Sequence, residues 1–199
     1  MKIILKNRTN ATSTFLFSNK NKTILIIILI FVFFFSSRQD KSAYQQKVSY
    51  FLRKYVSNYT LKKDNLSMFE WRLEKIDSSY TWKKKIIIQT EQNHHIYIFF
   101  YEYNSIKKCY NAYQSLIDCF PTECLKLEEG KNIQSTKTIP SLVIINKNSI
   151  TIATTHCISK DLDLWNFLKK SLIIEFKDME SKILQADCGG PIEWLLLNK

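Results

Sequence analysis

Glycine and proline are scarce in this chain, since its 199 residues include only three of each. The glycines stand at 130, 189 and 190, so the chain lacks a GxxxxGK phosphate loop, a GxGxxG dinucleotide turn and a GxSxG nucleophile elbow. Few glycines and prolines also argue against a β-sandwich of many short strands, which needs many turns. The length suits one domain of ordinary size, and 45% of the residues are apolar, which excludes a disordered chain.

Arginine is also rare, because only four of the 29 basic residues are arginines. The formal net charge is +11, yet a protein that binds nucleic acid is expected to cluster its bases, with arginine beside exposed aromatic rings. The densest basic run, 83–85, stands alone and leads directly into the isoleucines at 86–88. This pattern is typical of solvated lysines at the end of a strand. Nucleic acid is therefore not an expected partner.

An uncharged stretch over 23–37 is the strongest single signal in the chain. Its centre, 24–35, is an unbroken apolar run with no polar face, which does not suit a helix packed in a soluble core. As a helix the stretch measures about 22 Å, and Lys22 and Arg38 can extend to the interfaces of a roughly 30 Å bilayer core. Cleavage as a signal peptide is the alternative, but a cut at its end places phenylalanine where a small residue is needed. The stretch predicts an uncleaved transmembrane signal anchor.

The flanking charges predict the orientation of this anchor. Residues 1–22 carry five bases and no acid, whereas the residues just after the stretch mix bases with Asp40. Short segments rich in bases stay on the inner side of a membrane. The expected organisation is a basic tail over 1–22 that remains inside, a single-pass anchor over 23–37 and one translocated domain over 38–199.

Three segments of the domain have the apolar period of an amphipathic helix. The first covers about 42–57. The second is capped by Asn104 or Ser105 and ends before Pro121. The third is capped by Ser159 and carries two aspartates in its first turn, where the helix dipole favours acids. Its expected buried side is formed by Leu162, Trp165, Leu168 and Leu172.

Five segments have the pattern of β-strands. Apolar and charged residues alternate over 69–74, and two further strands follow over 82–88 and 96–101 after short polar turns. Short connections favour an antiparallel meander, to which a hairpin over 142–154 adds two strands. The predicted fold class is α+β: an antiparallel sheet of about five strands, meander plus hairpin, with helices mainly on one face.

A second fold is also compatible with part of the sequence. The segment 139–145 places Pro140 just before an apolar strand, and a hairpin and a C-terminal helix follow. This arrangement resembles the last third of a thioredoxin-fold domain, over about 35 residues. The resemblance implies a thioredoxin-like α/β fold, but no redox activity, because the chain has no CxxC motif.

The five cysteines are the main candidates for chemistry. A translocated domain permits disulfides, and an odd number leaves at least one thiol free or paired between chains. Cys119 and Cys124 bracket a proline and are one candidate pair; Cys157, after a strand, and Cys188, in a Gly-Gly-Pro turn, are another. The same four residues are the candidates for reactive thiols. Cys109 falls on the apolar stripe of the second helix, which favours a small buried side chain.

Metal and acid–base sites have weaker support. The CxxC, HxxxH and HExxH spacings of zinc sites are missing, so no metal and no cofactor is predicted. His94 and His95 stand at a turn before a strand, where exposed imidazoles are common. The mixed set that comes nearest to a metal site is Cys119, Cys124, His156 and Cys157.

Taken with the predicted anchor, these patterns favour a non-catalytic domain held at a membrane. We expect it to bind a protein partner or to assist assembly there. The alternative is an enzyme-like protein that depends on a thiol or a metal and uses its cysteines.

Overall fold

The structure is a computed structural model, and its described residues are 41–61, 79–90, 94–120, 125–134, 138–157 and 162–195. The predicted anchor over 23–37 and the predicted strand over 69–74 lie outside them. Within them, no helix is both long enough and apolar enough to cross a bilayer.

Three helices form where the apolar period predicts them. They are α1 (Ala43–Phe51, continued by a π-helical turn over Leu52–Val56), α2 (Ile106–Ile117) and α3 (Leu162–Phe176). The hydroxyl of Ser42 caps α1 by accepting a hydrogen bond from the backbone N–H of Gln45 at 3.1 Å. Ser105, one of the two predicted caps, does the same for α2. The predicted cap of α3 at 159 lies outside the described residues.

The described strands form one sheet in the order β1-β2-β3-β5-β4-β6-β7. Their bounds are β1 (Thr60–Leu61), β2 (Trp82–Gln89), β3 (His95–Glu102), β4 (Ser141–Ile145), β5 (Ser149–Thr155), β6 (Lys182–Ala186) and β7 (Ile192–Leu195). Every neighbouring pair among them is antiparallel. The α+β class is therefore confirmed with seven described strands instead of five. The thioredoxin-like α/β alternative is wrong for this sheet, because such a fold needs adjacent parallel strands.

The helices cover both faces of the sheet: α1 and α3 pack on one face and α2 packs on the other. Two of the three described helices therefore share a face, which agrees with the prediction of helices mainly on one face. Strand β5 lies between β3 and β4, and β4 lies between β5 and β6. The connections β3-α2-β4 and β5-α3-β6 therefore each skip one strand, and both step in the same direction along the sheet. Such crossovers are right-handed, and β3 and β5 run in opposite directions, so α2 and α3 lie on opposite faces.

Two cores result, one on each face. Along β3, Ile96, Ile98 and Phe100 contribute to the core that includes α1 and α3, while Tyr97, Phe99 and Tyr101 contribute to the core that includes α2. Burial on both faces explains why this strand is apolar throughout.

The predicted buried side of α3 is confirmed at three of its four residues. Trp165, Leu168 and Leu172 are at most 2% exposed, but Leu162 is 45% exposed. Leu162 begins the helix and stands about 60° around its axis from Trp165, on the side away from Leu168. The core therefore covers the middle of the stripe and leaves its first residue at the surface.

Candidate functional site

Cys157 and Cys188 are bonded to each other in the structure, with their Cα atoms 5.3 Å apart. Cys157 follows β5 and Cys188 follows β6, so the bond joins the ends of the two strands that flank β4. Cys119 is also disulfide-bonded, and Cys124 lies outside the described residues. A bonded sulfur is neither a nucleophilic thiolate nor a metal ligand. These three positions therefore act as cross-links, not as reactive thiols.

A buried threonine organises the corner around the Cys157–Cys188 bond. The hydroxyl of Thr138 donates a hydrogen bond to the carbonyl of Asp187 at 2.6 Å and accepts one from the N–H of Gly190 at 3.1 Å. Its carbonyl accepts a hydrogen bond from the N–H of Gly189 at 2.9 Å. Gly189 has a φ of 58°, a left-handed conformation that glycine adopts without strain. The polar groups of this corner are used to hold the turn in place.

Cys109 carries a free thiol and lies on the buried side of α2, 1% exposed. Its sulfur lies 3.5 Å from the backbone carbonyl of Asn146, to which it donates. Burial raises the pKa of the thiol from 9.0 to about 12. The group is therefore protonated at neutral pH and does not provide the thiolate that thiol chemistry needs.

A pocket of about 170 Å³ opens beside Cys109, lined by apolar and aromatic residues of α2 and by charged residues near the starts of β5 and β6. The charged side chains are already paired: Lys182 Nζ lies 2.8 Å from a carboxylate oxygen of Glu129, and Lys147 Nζ lies 3.1 Å from Glu180. Sites for cofactors and other small ligands measure roughly 300–1,000 Å³. This pocket is too small to hold such a group.

Glu129 is the centre of a polar network that includes Tyr113 and Lys182, two residues that line the pocket. It accepts hydrogen bonds from the Tyr113 hydroxyl at 2.7 Å and from Lys182. Burial opposes its charge, but these two bonds outweigh burial and lower the pKa of Glu129. Burial, and then the bond to Glu129, raises the pKa of Tyr113, so the phenol stays protonated and donates. The network ties the loop that holds Glu129 to α2 and β6.

The described histidines and cysteines do not assemble a metal site. Among the described residues there is no group of three or more metal-binding side chains. His95 begins β3, His94 precedes it and His156 follows β5, so all three lie at one end of the sheet, where Ile96 pairs with Thr155. In the nearest predicted ligand set, Cys119 and Cys157 are disulfide-bonded and provide no thiolate.

Sequence reasoning did not single out a surface on the outside of α1 and α3, which we call the outer surface. Its large side chains are exposed: Tyr50 by 43%, Phe167 by 47% and Ile174 by 58%. The rings of Tyr55 and Phe167 meet with centroids 6.0 Å apart, so the two helices form one continuous surface. Phe167 and Ile174 are seven residues apart and point away from the buried stripe, a spacing that could have revealed them in the sequence.

Lys54 is held at the centre of the outer surface. Its ammonium lies 4.8 Å from the ring centroid of Tyr55, 5.1 Å from that of Tyr50 and 3.3 Å from a carboxylate oxygen of Glu175. Contacts with Tyr55, Tyr50 and Glu175, in that order, raise the pKa of Lys54, so it stays charged. The exposed rings and the fixed cation resemble the anchors that dominate protein interfaces.

The two helices that carry the outer surface are basic. Their acids are Asp163 and Glu175, against five bases: Lys47, Arg53, Lys54, Lys169 and Lys170. Of these bases, Lys54 pairs with Glu175 and Lys169 lies 3.5 Å from Asp187. The remaining positive charge is available to a partner that carries acids next to apolar side chains.

Comparison with known proteins adds no relative: no family model, no curated protein and no solved structure matches this chain.

Proposed function

We propose that this chain is a membrane-anchored, non-catalytic domain that binds an acidic protein partner through the outer surface. The observation that carries the proposal is the exposure of Tyr50, Phe167 and Ile174 around a fixed cation on two basic helices. Large side chains at a surface are available to contact another protein, and aromatic residues are enriched at such contacts. The excess of positive charge on α1 and α3 favours a partner with acids around its apolar residues.

The membrane anchorage in this proposal is inferred from the sequence alone, from the uncharged stretch over 23–37. A binding domain held at a membrane needs only a surface that matches its partner. An exposed surface held on two packed helices supports such a role, because a rigid surface loses little entropy on binding.

The experiment that tests the proposal places a photocrosslinking amino acid at Ile174 of the full chain in its native membrane. Irradiation should give one discrete protein adduct. Phe167→Ala should reduce the yield of that adduct several-fold, because the neighbouring ring is an anchor. Asn111 is the matched control position, since it is exposed on α2 on the other face of the sheet.

Charge provides a second arm of the same experiment. Replacing Arg53 and Lys170 by glutamine should lower the yield at Ile174, and added salt should lower it further. Equal yields from Ile174 and from Asn111, or a yield that Phe167→Ala leaves unchanged, would contradict the proposal.

The alternative, an enzyme-like protein that uses its cysteines, has less support. Cys157 and Cys188 are bonded to each other, Cys119 is bonded, and burial keeps the Cys109 thiol protonated. Rapid labelling of a thiol by iodoacetamide in the folded, unreduced protein would favour the alternative over our proposal.

A further inference from the structure

One end of the sheet, which we call the tether end, brings together the ends of five strands. The cross-strand register aligns Trp82 with Glu102, and Glu102 with Ser149. It also aligns Ile145 both with Ile150, next to Ser149, and with Lys182. Helix α2 begins directly after β3, and α3 ends shortly before β6, so both also present a terminus at this end.

Helix α1 begins at the tether end too. The hydroxyl of Tyr44 lies 2.8 Å from Thr151 Oγ1 and 3.3 Å from the carbonyl of Ile150. The side-chain amide of Gln45 donates to the buried carboxylate of Glu102 at 2.9 Å. The first turn of α1 is therefore fixed on the first residues of β5 and the last residue of β3.

The start of α1 is close to the uncharged stretch along the chain. Only residues 38–41 separate the end of that stretch from the helix cap Ser42. If the stretch is the membrane anchor, as the proposed function holds, α1 is the first described helix after the anchor in the chain, and it begins at the tether end.

The chemistry of the tether end suits a lipid surface. Met179 is 99% exposed in the turn before β6, and Ile106 is 62% exposed at the start of α2. Lys107 and Lys108 directly follow Ile106, and Lys177 lies two residues before Met179, whose immediate neighbours are Asp178 and Glu180. None of these three lysines forms an ion pair with a described residue. Exposed apolar side chains flanked by lysines are the pattern of a surface that binds anionic phospholipids.

The carboxylates of this end are already engaged by the protein. Asp178 Oδ1 accepts hydrogen bonds from the backbone N–H of Glu180 at 2.9 Å and from the hydroxyl of Ser181 at 3.0 Å. Glu180 pairs with Lys147 at 3.1 Å. The lysines of α2 are placed at a cost to the helix, since the dipole at its first turn favours acids. A contact with phosphate groups would favour lysines at these positions.

We propose that the tether end rests on the bilayer that anchors the chain, with Met179 and Ile106 among the headgroups of anionic phospholipids. The proposal rests on the anchorage stated under Proposed function. It assigns a lipid contact to the tether end and leaves the outer surface of α1 and α3 for the protein partner.

The test uses the full chain, reconstituted in phosphatidylcholine vesicles with or without phosphatidylserine. An environment-sensitive fluorophore is attached to Met179→Cys or, as the matched control, to Ser57→Cys. Ser57 is exposed at the far end of α1, roughly 22 Å from Ser42. The thiol of Cys109 is buried and stays unlabelled in both.

We expect phosphatidylserine to shift the emission at 179 to the blue and to make quenching by spin-labelled lipid several-fold stronger there than at 57. Replacing Lys107, Lys108 and Lys177 by glutamine should remove most of that difference. Equal quenching at the two positions, or a difference that the lysine replacements leave unchanged, would overturn the lipid contact.

Flotation of the same vesicles separates the two proposals. A chain that floats after alkaline extraction but shows equal quenching at 179 and 57 is anchored without a lipid contact at the tether end. A chain that does not float overturns the anchorage, and the lipid contact fails with it.

Discussion

Removing the Cys157–Cys188 bond is the perturbation with the best-defined expected magnitude. The bond closes a loop with a sequence separation of 31 that contains α3 and β6. In the chain-entropy model, opening a loop of this length costs about 3.7 kcal/mol at 25 °C, through the freedom that the unfolded chain gains. The double variant Cys157→Ser/Cys188→Ser should therefore unfold with a free energy lower by about 3–4 kcal/mol.

The assay is urea unfolding of the full chain in detergent micelles, followed by tryptophan fluorescence. Trp165 and Trp194 are both buried, at 2% and 8% exposure, and report on the two faces of the sheet. With a slope of about 2 kcal/mol/M, the midpoint of the double variant should fall by about 2 M. The slope itself should rise, because an uncrosslinked unfolded chain exposes more surface.

Reductant is the control for this prediction. It should lower the midpoint of the wild type by more than that of the double variant, which has one bond fewer to lose. A loss of less than about 1 kcal/mol would refute the reasoning, since the bond would then constrain little of the unfolded chain. Equal responses of the two proteins to reductant would refute it as well.

Three further predictions concern single side chains. Phe176→Ala should cost about 3–5 kcal/mol in urea unfolding, because the ring is 1% exposed and packs on three rings with centroids 5.4–5.8 Å away. Phe167→Ala should cost less than about 1 kcal/mol, and similar losses would show that burial does not separate the two positions. Because the pKa of Cys109 is about 12 in the folded protein and the ordinary value is 9.0, the unfolded thiol loses its proton first. The contribution of this thiol to the free energy of unfolding is therefore complete below pH 9 and is lost as the pH rises from 9 to 12. A plot of unfolding free energy against pH should show this decline for the wild type, and Cys109→Ala should remove it. Tyr113→Phe should lower the unfolding free energy by about 1.5–3 kcal/mol, because it removes a hydrogen bond to a charged carboxylate, while Tyr110→Phe on the exposed side of α2 should leave it unchanged.

The local pattern of the sequence predicted most of the described elements. The apolar period located all three helices, and the alternation and polar turns located β2, β3 and the β4–β5 hairpin. These predictions depend on interactions within a few residues, which the order of residues determines directly. Strands β6 and β7 were missed because they are short and close to a turn, so their pairing with β4 and with each other makes them strands.

The candidate surfaces could be predicted only in part. The cysteine pair at 157 and 188 was one of two pairings that the sequence left open, and the arrangement of β5 and β6 on either side of β4 brings these two together. The outer surface could be recognised only from the packing of α1 on α3, since Tyr55 and Phe167 are far apart in sequence. The tether end could be recognised only from the register that aligns the ends of five strands.

The sequence by itself determined the positions of the three described helices, because hydrophobic periodicity is a property of neighbouring residues. It favoured the α+β class but left a thioredoxin-like α/β fold open, which only the antiparallel pairing of the strands excluded. The uncharged stretch over 23–37 was likewise identified from the sequence alone, because it lies outside the described residues. Only the tertiary structure decided that helices cover both faces of the sheet. Strand β5 enters between β3 and β4, and the handedness of the crossovers then places α2 and α3 on opposite sides. That order joins residues far apart in the chain, so no local pattern specifies it.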